Sequence, residues 1–154
     1  MEIILLLDPD EKEQVCREIL GGLMDWFWTQ AWVDYYATNC RELVFYAATK
    51  DGRMAGFLVV KRHYDHSAEI FVLGVRQEFH KQGVGRLLLE ECEKNCKSQG
   101  IKYLTAKTLS EKSSDGFYAK TRKFYEAMGF CALETLEELW GADRPCLIMV
   151  KSLD

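Results

Sequence analysis

Residues 80–85 read His-Lys-Gln-Gly-Val-Gly and stand between an apolar run, Glu69–Val75 (EIFVLGV), and a helix-like run, RLLLEECEKNC. Gly83 and Gly85 lack the Cβ atoms that would keep a partner away from the backbone. At a strand-to-helix junction the first amide N–H groups have no helical acceptor, and the helix macrodipole adds partial positive charge at the same point. Such a loop suits a pyrophosphate, and a plain tight turn accounts for the six residues equally well. Two other phosphate-binding patterns fail. A dinucleotide fingerprint needs a third glycine where Leu88 stands, and a P-loop needs Gly-Lys-Ser/Thr where the chain reads Gly85-Arg86-Leu87.

Thiol and metal chemistry find less support. The six cysteines, Cys16, Cys40, Cys92, Cys96, Cys131 and Cys146, contain no CxxC pair. Cys92 and Cys96 lie four apart on one helix face but continue the stripe Val84, Leu88, Cys92, Cys96, which is a core pattern. No histidine or second cysteine pair completes a ligand set, so buried, reduced thiols and no metal are expected.

The elements that must hold the loop follow from pattern and punctuation. MEIILLL reads as a first strand, too short to span a bilayer and without the basic leader of a signal peptide. In DPDEKEQVCREILGG, Asp8 caps a helix, Pro9 suits its first position, and Val15, Cys16, Ile19 and Leu20 form its apolar face before Gly21 and Gly22 end it. A second helix is expected from about 29 to 36. ELVFYAATKDGRMAGFLVVKRHY reads as a hairpin with strands near 43–49 and 54–63, joined through Asp51-Gly52. A strand over 68–75 leads into the glycine loop, a helix follows over 83–98, and IKYLTAKTL is the next strand. After the polar stretch SEKSSD comes a helix at about 115–128, stopped by Gly129 as a left-handed C-cap. Strands near 130–137 and 146–151 close the chain. The order β-α-α-β-β-β-α-β-α-β-β predicts an α/β domain with a mixed sheet.

Composition bounds the partners. With 154 residues, 48% hydrophobic and 29% charged, and no repeat or linker, a single domain over 1–154 with one core is expected. A net charge of −4 argues against nucleic acid or an anionic membrane as partner. Without a leader or spanning segment, the expected location is cytoplasmic.

AEIFVLGVRQEFHKQGVGRLLLEE, residues 68–91, resembles motif A of the GNAT superfamily of acetyl-CoA-dependent N-acetyltransferases, and TRKFYEAMGF, residues 121–130, resembles its motif B. The element order and the spacing of about 40 residues between the motifs match as well, so the resemblance covers nearly the whole chain. It implies a GNAT-like, mostly antiparallel mixed sheet, splayed at its central strands, with helices on both faces. It also implies that residues His80, Lys81, Gln82, Gly83, Val84, Gly85 and Arg86 grip the pyrophosphate of acetyl-CoA as co-substrate. His80 takes the place of the family's Gln or Arg, a departure that weakens that one contact. Amides of Leu73, Gly74 and Val75 would bind pantetheine and the acetyl oxygen; Gly74 there suits a bulge, a close approach or simple packing.

By the same resemblance Tyr125 is the candidate general acid. On its helix Phe117, Thr121, Phe124 and Met128 are expected to form the buried stripe, with Tyr118, Arg122 and Tyr125 beside it; without the motif, Tyr125 reads as a packing residue. Glu69 is the candidate base, acting through water as in the histone-acetyltransferase branch, and otherwise reads as a solvated strand residue. A partly buried carboxylate would have the raised pKa such a base needs. His63 and His66 are alternative proton relays. The aromatic cluster Trp26, Phe27, Trp28, Trp32, Tyr35 and Tyr36 falls where the family varies to fit its acceptor. The implied activity is direct acetyl transfer to a primary amine on a small molecule or peptide, compatible with a homodimer. The competing class is a non-catalytic acetyl-CoA-binding module.

Overall fold

A computed structural model describes residues 1–24, 29–110, 117–141 and 144–154. Its element order is β1 (Glu2–Leu6), α1 (Pro9–Gly21), α2 (Gln30–Asn39), β2 (Val44–Lys50), β3 (Arg53–Tyr64), β4 (Ser67–Val75), α3 (Val84–Ser98), β5 (Tyr103–Leu109), α4 (Phe117–Ala127), β6 (Cys131–Leu136) and β7 (Cys146–Ser152), with one 3-10 turn at Gln77–Phe79. The order predicted from the sequence is recovered. α2 runs three residues beyond the expected end, since nothing between Tyr36 and Asn39 breaks a helix. The expected start of α4 at 115 lies outside the described residues.

Local chemistry explains the boundaries. The Asp8 side chain accepts the Glu11 N–H at 3.3 Å at the start of α1, with Pro9 opening the helix. Asp51 and Gly52 both have positive φ, 52° and 75°, the mirror-type turn that matches strand twist in a two-residue hairpin. Gly129 stops α4 at φ 95°.

The seven strands form one sheet in the order β1-β2-β3-β4-β5-β7-β6. Every pairing is antiparallel except β4 with β5. Two cores lie on opposite faces. α1 and α2 cover Phe45, Ala47, Phe57, Val59 and Val72, while α3 and α4 cover Leu58, Ile70, Leu104, Ala106 and Met149. The cysteine stripe of α3 is buried as expected, whereas Cys131 is exposed on the edge strand β6 and departs from the reading of all six thiols as buried. Among the described residues, no helix is long and apolar enough to cross a membrane.

Leu88 is fully buried at the centre of the α3–sheet interface. Leu88→Ala is expected to destabilise the fold by about 2–5 kcal/mol, transfer and cavity terms together, read as a lower denaturant midpoint at unchanged slope.

Candidate functional site

The site begins where two strands part. β4 and β5 pair only from Ser67↔Tyr103 to Ile70↔Ala106, and beyond Ile70 the strands separate. A bulge sits at the divergence. Val59 opposes Val72 and Val60 opposes Ile70, which leaves Phe71 as the extra residue. Past the bulge β4 stays paired with β3 alone, and Arg76 N–H continues that ladder onto Ala55 O at 2.9 Å. Antiparallel ladders alternate bonded and non-bonded pairs, so Gly74 and Val72 bond β3 while the peptide groups of Leu73 and Val75 face the gap that β5 leaves.

This settles Gly74 differently from its neighbours. Its amide belongs to the β3 ladder, not to the gap. A Cβ there would lie 2.9 Å from Phe57 Cε1, 3.2 Å from Leu20 Cδ2 and 3.3 Å from Ile19 Cγ2. Gly74 is present because α1 packs directly on the strand, and the bulge lies three residues earlier.

The gap opens into a cleft of about 740 Å³. One wall is the turn into α3. Gly83 is the N-cap residue at φ 81° with no side-chain cap, and Lys81 also adopts a left-handed conformation at φ 63°. The first helical bond is Leu87 N–H to Gly83 O, which leaves the N–H groups of Val84, Gly85 and Arg86 without helical acceptors beside the cleft. Gly85 faces across it. A Cβ on Gly85 would stand 3.3 Å from the Phe124 ring, so a branched side chain would press first on α4 rather than on empty space.

His80 turns back onto the strand. Its Nε2 lies 2.7 Å from Val75 O, and since a carbonyl only accepts, Nε2 carries the hydrogen. The imidazole therefore ties the loop to β4. Gln82 departs from its expected place, because its side chain accepts from Lys50 Nζ and donates to Glu78 O, away from the cleft lining. Lys81, Arg86, Lys120 and Lys123 line the cleft, and no carboxylate does among the described residues. A chain of net charge −4 thus concentrates cations where a phosphorylated ligand would lie.

α4 supplies the opposite wall, turned slightly from the expected helical faces. Phe124 and Met128 are half-buried on the cleft, while Tyr125 is only 5% exposed, edge-on to Phe130 at 5.2 Å, and also reaches the cleft. The helix is rotated about one position from the assignment read from periodicity, a small error where adjacent aromatics, Phe124 and Tyr125, offer two neighbouring apolar stripes. Burial pushes the Tyr125 phenol up from the usual value of 10, with neighbouring Tyr36 adding to the shift. The side chains of Phe117 and Tyr118 lie outside the described residues.

Glu69 is not a solvated strand residue. It is 7% exposed, accepts from His63 Nε2 at 2.7 Å and pairs with Lys107 Nζ at 3.2 Å. Glu69 does not line the cleft, but Lys107 does, so the carboxyl group adjoins the cleft through its lysine partner. Of the two histidines considered as relays, His63 meets Glu69, whereas His66 stacks on Tyr64 at 5.8 Å.

Of the aromatic cluster, Trp26, Phe27 and Trp28 lie outside the described residues. Tyr36 lines the cleft, joined there by Phe71 and Trp140, which the sequence did not single out. No local pattern marks a bulge residue or a loop tryptophan, and Lys107 has no signal beyond strand alternation.

A family model described as "Acetyltransferase (GNAT) family" matches residues 13–130. No curated protein matches the chain by sequence. Among solved structures, the chain is similar to a protein described as a GNAT-family acetyltransferase from Desulfovibrio desulfuricans, with TM-score 0.85, 23% identity and 99% of each chain covered. It is also similar to an aminoglycoside 6'-N-acetyltransferase complexed with coenzyme A (TM-score 0.75, 20% identity, 100% of this chain and 98% of that one). A third is the ribosomal-protein-S18-alanine N-acetyltransferase from Escherichia coli (TM-score 0.76, 19% identity, 99% and 95%). At these identities the structural likeness carries the fold alone.

Proposed function

The chain belongs to the acetyltransferase (GNAT) family, and from that premise we propose that it transfers the acetyl group of acetyl-CoA to a primary amine, directly, in a ternary complex formed by one domain. The observation that carries this reading is the parting of β4 from β5, which aims the Leu73 and Val75 peptide groups at a cleft closed by the amide-rich start of α3. The similarity to an acetyltransferase solved with coenzyme A supports the choice of co-substrate. No metal ion has a part in this mechanism.

In this reading the free N–H groups of Val84, Gly85 and Arg86 hold the pyrophosphate, with Lys81 and Arg86 adding charge. Pantetheine extends along Leu73 and Val75, where a strand amide donates to the thioester oxygen and stabilises the negative charge that builds there. The amine gives up a proton through water toward Glu69, whose carboxylate His63 Nε2–H holds in place, and solvent takes that proton up between turnovers. The amine nitrogen then bonds the acetyl carbon and sheds its second proton to water, the C–S bond breaks, and the departing sulfur takes the Tyr125 hydroxyl proton. Solvent restores the phenol.

Release of free CoA thiol from acetyl-CoA across an amine panel tests the proposal. Amine-dependent release is expected; CoA binding without release from any amine would identify a binding module instead. Glu69 has its own test. An alkyl amine is almost wholly protonated at neutral pH, so kcat/KM is expected to rise with pH. Glu69→Gln keeps the shape but cannot accept the proton, so it is expected to flatten or shift the acid limb while leaving CoA affinity intact. A superimposable profile would make Glu69 a structural partner of Lys107.

A further inference from the structure

Five rings gather at one side of the cleft, three of them lining it. Trp32, Tyr35 and Tyr36 come from α2, Phe71 from the β4 bulge, and Trp140 from the segment between β6 and β7. They form a chain. Phe71 meets Tyr36 edge-on at 5.2 Å, Tyr36 stacks with Trp32 at 6.0 Å, and Trp32 meets Trp140 edge-on at 6.4 Å. None of the five is fully buried, in contrast to Phe45 and Phe57 beneath them, which stack inside the core at 5.2 Å. Tyr36, Phe71 and Trp140 present atoms to the cleft itself.

Tyr36 and Phe71 rest on the core beneath them, yet both keep exposed surface at the cleft. Three separate segments bring half-exposed rings to one concave wall, beside the point where β4 and β5 part. Aromatic faces and edges complement a flat apolar body, with preferred ring-centre spacings of about 4.5–7 Å. The charges of the cleft are equally selective. Among the described lining residues there is no carboxylate, and Glu69, which adjoins the cleft through Lys107, is already engaged by Lys107 and His63. One amino group can be served there, but a second ammonium would meet Lys107 with no carboxylate among the described lining residues to receive it.

We propose that the acceptor is an arylalkyl monoamine, its ring lying against Phe71, Tyr36 and Trp140 and its amino group directed toward the β4–β5 divergence, rather than a polycation such as a polyamine. The proposal rests on the acetyltransferase reading and names the substrate class of that site. In addition, it assigns Phe71 and Trp140 as specificity-determining residues.

Calorimetric titration of the CoA-loaded protein with 2-phenylethylamine and with hexane-1,6-diamine separates the alternatives. 2-Phenylethylamine is expected to bind at least about tenfold more tightly, in line with aromatic contacts added to a single served ammonium. Phe71→Leu and Trp140→Leu, which keep apolar bulk but remove a ring, should each erode that preference while CoA affinity stays at the wild-type value. Equal or tighter binding of the diamine to the wild-type protein overturns the proposal, and so does a preference that survives in both variants. The measurement reads binding, not turnover. A protein that selects the aryl amine but releases no thiol would refute the acetyltransferase reading and keep the aromatic site; one that acetylates the diamine faster would do the reverse.

Discussion

Tyr125→Phe is expected to lower kcat by about 10²-fold or more, the range for loss of a general acid, with little change in the KM for acetyl-CoA. Burial supports both halves of that expectation. The ring packs against Phe130 and will hold its place without the oxygen, so the cleft should keep its shape. The raised phenol pKa keeps the proton on the hydroxyl throughout the neutral range. The same shift makes Tyr125 a weaker acid, so in the proposed mechanism the hydroxyl would donate a hydrogen bond to sulfur as charge develops and give up its proton only after C–S cleavage. Tyr125 should therefore contribute no limb to the pH–rate profile below about pH 10, the unshifted phenol value. Single-turnover rates on both proteins, with chemistry isolated from product release, are the measurement. Near-wild-type chemistry in the Phe variant would reduce Tyr125 to a packing residue.

Gly85→Val is expected to weaken CoA binding about 10- to 100-fold, as if one charge-assisted hydrogen bond at about 1.5–3 kcal/mol were lost. The cause is indirect. The new Cβ meets the Phe124 ring at 3.3 Å, and the two γ-methyl groups have to displace either that ring or the first turn of α3. Either movement misplaces the amides of Val84, Gly85 and Arg86 relative to a bound pyrophosphate. The pressure falls at the cleft rim and not in the sheet, so the denaturant midpoint should move much less than it does for Leu88→Ala. Unchanged CoA affinity in a folded Gly85→Val protein, measured by calorimetry, would remove the loop from the binding site. Gly83→Val makes a useful companion. No atom lies within 4 Å of its Cβ position, so any effect there comes from forcing a branched residue to φ 81° and not from steric contact.

Much of this architecture is legible in the linear chain because its signals are local. The Asp8-Pro9 cap, the Asp51-Gly52 turn, the stop at Gly129 and the Val84–Cys96 stripe depend on neighbours within a few residues, and short-range sterics and hydrogen bonding decide them whatever the rest of the molecule does. The glycine loop belongs to the same class, since a strand-to-helix junction with two glycines creates unpaired amides by itself.

Contacts between distant segments decided the remainder. Only the register of β4 on β3 directs the Leu73 and Val75 peptide groups toward the gap and returns that of Gly74 to the ladder. Only the packing of α1 shows that Gly74 makes room for Ile19 and Leu20. The rotation of α4 that buries Tyr125 and turns Phe124 and Met128 to the cleft follows from what the sheet presents, because the adjacent pair Phe124 and Tyr125 offers two nearly equivalent apolar stripes. Glu69 acquires Lys107 from β5 and His63 from β3, and Phe71 meets α2, as Trp140 does through Trp32, only in the assembled fold. Side-chain identity and spacing along the chain thus determined the elements and the glycine turn with its unpaired amides; which atoms face the cleft depended on strand register and helix rotation, which are set by the burial of surfaces far apart in sequence.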